Sequence, residues 1–319
     1  MNKFIISCPF TGLGLYGGFR GNRWLRNRIQ IFKQFVIPSL LAQEDRDFVL
    51  WVQWRPEEKT NKYVIELDKY LSEIPNFTHV FTYGGITIWD DKFPDEIARE
   101  KLCNSLSNSL QYLFDYLPDC ERVYWLLQPS DDLYDKKTVA EVRKAFANYP
   151  AQAVSFSKGY ICNYNTKELS EYNPNTNPPF FAINFPRDVF FDPGRHMTYI
   201  SLKEDIGKYK KGTPQPSHEY LPKCLETYYF DSRGFCVGCH LSNISTYYNH
   251  PFKGNIVSQE ILDKFGIRDV EKLVIPLSWR KVIFDKLPFG FKKKLRYWSG
   301  EKKWILRPLC ARIYDILRG

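Results

Sequence analysis

The chain has 319 residues, of which 44% are hydrophobic and 25% charged, proportions that suit a globular protein with a sizeable core. No apolar run approaches the roughly 20 residues needed to cross a bilayer, and eight cysteines lie scattered without a disulfide framework. Lys and Arg number 45 against 36 Asp and Glu, a formal net charge of +9, which excludes an acidic, self-solvating chain.

Taken in order, Phe4 to Cys8 reads as a first strand, and a glycine-rich turn comes after it over 11–18. No leader segment precedes that strand, so a cytoplasmic, reducing compartment is expected. Arg20, Arg23, Arg26 and Arg28 come next and suit the charge of a phosphate that the glycines let approach; the alternative is a solvated basic helix start. Ile29, Phe32 and Val36 predict a helix interrupted near Pro38. Phe48 to Val52 is a second strand; Val64, Leu67, Leu71 and Ile74 mark a second helix; His79 to Tyr83 is a third strand. Leu102, Leu106, Leu110, Leu113 and Leu117 share one face of a long helix that leads into the apolar run Val123 to Leu127. Val139, Val142 and Phe146 then mark another helix. Strand and helix alternate to about residue 150, which predicts a parallel sheet with helices on both faces. Beyond Ala153 to Phe156 the alternation fails, and 160–235 reads as short irregular pieces rich in Asn, Pro, Tyr and Phe. Such loops suit the acceptor side of a site.

The central stretch is Val123 to Asp132, a buried strand that ends on two adjacent carboxylates, Asp131 and Asp132. Ligands of open α/β sheets bind at the carboxyl ends of the strands. Two carboxylates there are costly unless something positive joins them, and a divalent cation (Mn or Mg) with a phosphate-bearing substrate meets that need. The alternative is a solvated turn capping the next helix. Histidine with carboxylate is familiar metal ligation, so His240 and His250 join Asp131 and Asp132 as candidate ligands. Cys236-Val237-Gly238-Cys239-His240 matches the short haem-attachment pattern, but the expected reducing compartment argues against haem, and no second Cys/His pair at zinc spacing accompanies it.

Five segments in order carry a family resemblance: Arg23-Trp24-Leu25 with Arg28, Pro38-Ser39-Leu40-Leu41-Ala42-Gln43, Arg99-Glu100-Lys101-Leu102, Ser130-Asp131-Asp132, and His240-Leu241-Ser242-Asn243-Ile244-Ser245-Thr246. Together they resemble the rhamnosyltransferase family, of the GT-A class of nucleotide-sugar glycosyltransferases. The resemblance implies a Rossmann-like α/β fold with a mixed, mostly parallel sheet flanked by helices. It implies a nucleotide-sugar donor, a divalent metal held through a DxD-type motif, and a polysaccharide or glycolipid acceptor, with rhamnose as the sugar transferred. Where relatives carry the first carboxylate of Asp-x-Asp-Asp this chain has Pro129. Donor-binding candidates are then Arg20, Arg23, Arg99, Ser130, Asp131 and Asn243. Catalytic candidates, including the base that takes the acceptor's proton, are Asp132, Glu204, Asp205 and Glu219, with His218 beside them.

The expected organisation is one glycosyltransferase domain over 1–270, its nucleotide-sugar half 1–150 and its acceptor half 151–270, joined to a basic amphipathic tail, 271–319. From Arg280 onward twelve Lys and Arg face three Asp and Glu, with Tyr297, Trp298 and Trp304 among them. That pattern suits an anionic membrane surface, hence a peripheral position on the inner face of the plasma membrane. Two other classes compete: a nucleic-acid-binding protein that uses the tail, and a catalytically inactive glycosyltransferase-like binding module.

Overall fold

Apolar residues succeed one another without a break at Phe4 to Ile6 and Val123 to Leu127, a pattern that only a strand covered on both faces can bury. The computed structural model bears this out. It describes residues 2–11, 13–15, 21–84, 88–89, 95–164, 166–196, 218, 221–240 and 255–267. The strands are β1 (Lys3–Pro9), β2 (Leu13–Leu15), β3 (Val49–Gln53), β4 (His79–Thr82), β5 (Ile88–Trp89), β6 (Arg122–Leu127), β7 (Leu133–Tyr134), β8 (Ala153–Asn163), β9 (Leu169–Tyr172), β10 (Phe181–Pro186) and β11 (Thr227–Cys239). The main helices are α1 (Gly21–Ile31), α2 (Ile37–Leu41), α3 (Lys62–Ser72), α4 (Asp95–Leu113) and α5 (Thr138–Asn148). Three short ones complete the set: α6 (Arg187–Phe191), α7 (Leu221–Cys224) and α8 (Gln259–Lys264).

One mixed sheet runs in the order β4-β3-β1-β6-β10-β8-β11-β7, with β9 paired to β8. β4, β3, β1 and β6 are parallel, and β10 lies antiparallel to both β6 and β8. β8 therefore points the same way as β6, and β11, parallel to β8, does too. The carboxyl ends of β1, β3, β6, β8 and β11 all emerge along one edge. This is the mixed, mostly parallel α/β sheet that the sequence led us to expect.

Alternation along the strands separates two cores. Phe4, Ile6, Leu50, Val52, Tyr124 and Leu126 face α1, α3 and α5, while Ile5, Trp51, Val123 and Trp125 face α4 and α6. Leu106, Leu110, Leu113 and Leu117 are almost wholly buried, each worth about 1.5–3 kcal/mol of transfer free energy.

The interruption expected near Pro38 is a single π-helical stretch, Phe32–Val36, after which α2 resumes with Pro38 in its first turn. There the missing N–H costs nothing, since the wider turn has already shifted the hydrogen-bond register. One expectation needs correction: residues 160–235 hold more than loops. β8 extends to Asn163, β10 is buried along nearly its whole length, and β11 spans 13 residues. Polar Asp231 and Ser232 fall at a register shift in β11, which hides its period from the sequence.

Candidate functional site

At the end of β6 the chain turns sharply, and side chains hold the turn closed. Gln128 N–H donates to Ser7 O (2.8 Å), while its side-chain Nε2 donates to Pro129 O and Asp132 O, both at 2.8 Å. Tyr134 Oη donates back to Leu127 O at 2.7 Å. The segment Pro38 to Gln43 braces β7 and the start of α5. Ser39 Oγ donates to Tyr134 O (2.9 Å), Gln43 Nε2 donates to Asp135 O (2.9 Å), and Gln43 Oε1 accepts from Val139 N in the first turn of α5 (3.1 Å). That motif thus positions the turn from behind.

The two carboxylates then part. Asp132 Oδ1 accepts from the Gly238 backbone N–H at 2.9 Å. Only glycine allows this approach, because a Cβ at 238 would come within 2.2 Å of Asp131 O and 2.6 Å of the Tyr164 ring. Asp131 forms an ion pair with Arg28 through Oδ2, and His240 Nε2 lies 3.0 Å from the same oxygen. Arg28 NH1 in turn lies 3.4 Å from His240 Nε2. Arg28 is 2% exposed and the Asp131 side chain 13%. Trp24 lies beneath the guanidinium, 5.4 Å from its ring centroid. Tyr164, at the end of β8, donates to Asp131 O (3.0 Å) and has its ring parallel to Phe35 (4.1 Å) and His240 (6.2 Å).

Electrostatics separates the carboxylates further. Burial works to raise the pKa of Asp131, but the Arg28 guanidinium and the His240 ring outweigh it and hold the group well below the usual carboxylate range. Burial, then the charge of Asp131, pushes Asp132 well above that range, and the Gly238 N–H only partly opposes them. The two neighbouring carboxyl groups are thus shifted in opposite directions.

Of the residues expected from sequence, Asp131 and His240 come together, and Asp132 is directed to the β11 backbone. Ser130 is buried in the turn. His218 Nδ1 lies 2.5 Å from Asn177 O and is engaged with that loop. Arg23 lies on α1 and Arg99 on α4, with side chains outside the described residues. Arg20, Glu204, Asp205, Glu219, Asn243 and His250 lie outside them as well. Arg28 stood in the sequence as one of four arginines near the glycine turn and as part of the first resemblance segment, with no site role of its own assigned to it; Gln128 and Tyr164 carried no signal.

Of the four candidate metal ligands, Asp131, Asp132 and His240 lie among the described residues and His250 lies outside them. Among the described residues no group of three His, Cys, Asp or Glu is placed to hold an ion. Asp131 and His240 are within reach of each other, but a guanidinium is packed against both. A divalent ion approaching Asp131 Oδ2 would have to displace the guanidinium that already pairs with that oxygen. As arranged, these residues do not fit a divalent cation.

No protein-family model matches the chain, and no curated protein matches it. Several solved structures match it at low similarity. Residues 1–349 of TarS from S. aureus, in complex with UDP-GlcNAc, match at 12% identity and a TM-score of 0.42, over 98% of this chain and 79% of that one. A longer S. aureus TarS structure matches at 14% identity and a TM-score of 0.39, over 99% of this chain and 54% of that one. A proposed nucleotide-diphospho-sugar transferase from Desulfovibrio desulfuricans G20 matches at 13% identity and a TM-score of 0.35, over 86% and 100%. At scores this low nothing about chemistry can be taken from them.

Proposed function

We propose that this chain is a glycosyltransferase, moving a sugar from a nucleotide-sugar donor to a polysaccharide or glycolipid acceptor, with rhamnose the sugar that its sequence resemblance favours. One observation carries the reading. Arg28, Asp131 and His240 belong to three separate segments of that resemblance, and they meet in a single cluster although 109 residues separate Asp131 from His240 and 212 separate Arg28 from His240. The cluster stands at the carboxyl edge of the parallel strands, where open α/β sheets take their ligands.

In such a transfer the bond from the anomeric carbon to the diphosphate breaks and leaves negative charge on the departing phosphate. Fixed positive groups near the edge stabilise that charge as it develops. Arg20, Arg23 and Arg99 are the residues proposed to meet it, and Ser130 and Asn243 to contact the donor. The acceptor hydroxyl forms the new bond to carbon and gives its proton to a base. Glu204, Asp205, Glu219 and His218 remain the proposed bases. Asp132 is the poorer choice, since its Oδ1 is already turned to the Gly238 backbone N–H.

The test is a thermal-shift screen of the purified protein against UDP, GDP, dTDP and CMP and their common sugar conjugates, with and without Mn²⁺ or Mg²⁺. A ligand that binds only the folded state raises apparent stability by mass action. We expect one nucleotide to raise the melting temperature and its sugar conjugate to be slowly hydrolysed. A shift without hydrolysis or transfer would leave a binding module, and no shift with any nucleotide would sink the donor assignment.

A further inference from the structure

Arg28 occupies an unusual place for a residue on the first helix, and the consequence reaches beyond donor binding in general. Its NH1 pairs with Asp131 Oδ2 and lies 3.4 Å from His240 Nε2, atoms of two residues whose types and order in the sequence suit metal ligation. An imidazole binds a metal through a lone pair. Here His240 Nε2 lies 3.0 Å from Asp131 Oδ2 and 3.4 Å from Arg28 NH1, so the nitrogen that would meet a metal is already in contact with both groups. Asp132, the next candidate ligand, is turned to the Gly238 N–H. Position 129 is a proline whose carbonyl accepts from Gln128, so it supplies no carboxylate.

We propose that the Arg28 guanidinium takes the place of a divalent cation at this site, so that the chain binds its donor's diphosphate without a metal ion at Asp131. The inference rests on the nucleotide-sugar reading for its second half only; the occupation of the cation's place stands on the cluster itself. Asp131 and His240 are then positioning residues. They hold a permanent positive charge at the strand edge, and a guanidinium keeps that charge at any working pH.

The proposal is tested with Mn²⁺ alone and then with nucleotide. Chelator-treated wild-type protein is titrated with Mn²⁺ and the free ion measured by electron paramagnetic resonance, beside Asp131→Asn, Arg28→Met and the double variant Arg28→Met/Asp131→Asn. Wild type and Asp131→Asn are expected to take up no stoichiometric Mn²⁺. Arg28→Met is expected to gain a single Mn²⁺ site, which the double variant loses again. In the nucleotide arm, the thermal shift of wild type is expected to be unchanged by EDTA. Stoichiometric uptake by wild type that disappears in Asp131→Asn overturns the proposal, as does a folded Arg28→Met that gains no site. Should circular dichroism show Arg28→Met unfolded, wild type against Asp131→Asn decides the matter alone. If no nucleotide shifts the wild type, the glycosyltransferase reading falls while the Mn²⁺ titration still reports on Arg28.

Discussion

Asp131 and Asp132 are neighbours in sequence with opposite acid–base tendencies, and each makes its own prediction. Asp131 is held below its ordinary value, after the cost of burial, by Arg28 and His240. Its contribution to stability is therefore present above the unfolded carboxylate range and lost as pH falls through that range toward the lower folded value. Asp131→Asn leaves Arg28 buried without its counter-charge, and we expect a loss of about 3 kcal/mol in urea denaturation at neutral pH. Asp132 is raised, so its contribution runs the other way: full at acid pH and lost as pH rises through its folded value. Asp132→Asn keeps an oxygen for Gly238 and removes the cost of the second charge. It should match or exceed wild type at neutral pH, with the advantage fading in acid; a large neutral-pH loss in Asp132→Asn would show that Asp132 is ionised in the fold. The sequence announced Asp131 and His240, because a strand ending on carboxylates and a late histidine are local patterns. It could not announce the turning of Asp132, which depends on β11 passing within hydrogen-bond reach of residue 132. Nor could it single out Arg28 among four arginines, since burial against Trp24 and Asp131 is decided by the docking of α1 on the sheet edge.

At the level of elements, the site is a junction of β6, β8 and β11 pinned by one close approach. Leu133 pairs with Cys236 and Tyr134 with Phe235, which brings the Gly238 backbone against the 131–132 turn. Gly238→Ala would drive a methyl into Asp131 O and the Tyr164 ring, and we expect a cost of roughly 1–3 kcal/mol from overpacking. Because the displaced atoms carry Asp131, nucleotide binding should weaken in the same variant; unaltered melting and unaltered nucleotide shift in Gly238→Ala would break the link between the β11 contact and the site. β1, β3, β4 and β6 were legible in the sequence because strands covered on both faces are continuous apolar runs with helices between them. β8 to β11 were not, for a physical reason that the structure makes plain. The antiparallel β10 is inserted between two parallel neighbours from distant parts of the chain. The first half of β11, with Tyr229, Asp231 and Ser232 exposed, lies at an edge where no strict alternation is enforced. The π-helical stretch before Pro38 was equally hidden, although it places Phe35 on the ring of Tyr164.

Charge is organised on the scale of the whole molecule. Residues 1–279 carry 33 basic and 33 acidic side chains, so the entire excess of nine positive charges lies from Arg280 onward. The tail lies outside the described residues, and its part in function is a proposal drawn from sequence. Lys292-Lys293-Lys294, Arg296, Tyr297 and Trp298 combine point charges with rings that have one polar end, and Leu309, Ile313 and Leu317 recur at four-residue spacing. An anionic lipid surface attracts each nearby Lys or Arg by about 1 kcal/mol, and the apolar stripe adds burial at the interface. Such attraction is screened by salt over a Debye length of roughly 10 Å at 0.1 M. A lipid-linked acceptor, under the proposed function, would give the chain reason to stay at that surface, whereas a nucleic acid would satisfy the charge and leave the apolar stripe unused. We therefore expect the full chain to float with vesicles containing phosphatidylserine, to release them as salt is raised, and to bind neutral vesicles far less. Deletion of residues 288–319 should abolish flotation and leave the nucleotide-induced thermal shift intact, since none of the described residues of the site lies in that segment. Flotation that survives the deletion would place the membrane surface elsewhere. A loss of folding on deletion would mean instead that the apolar stripe packs against the α/β domain.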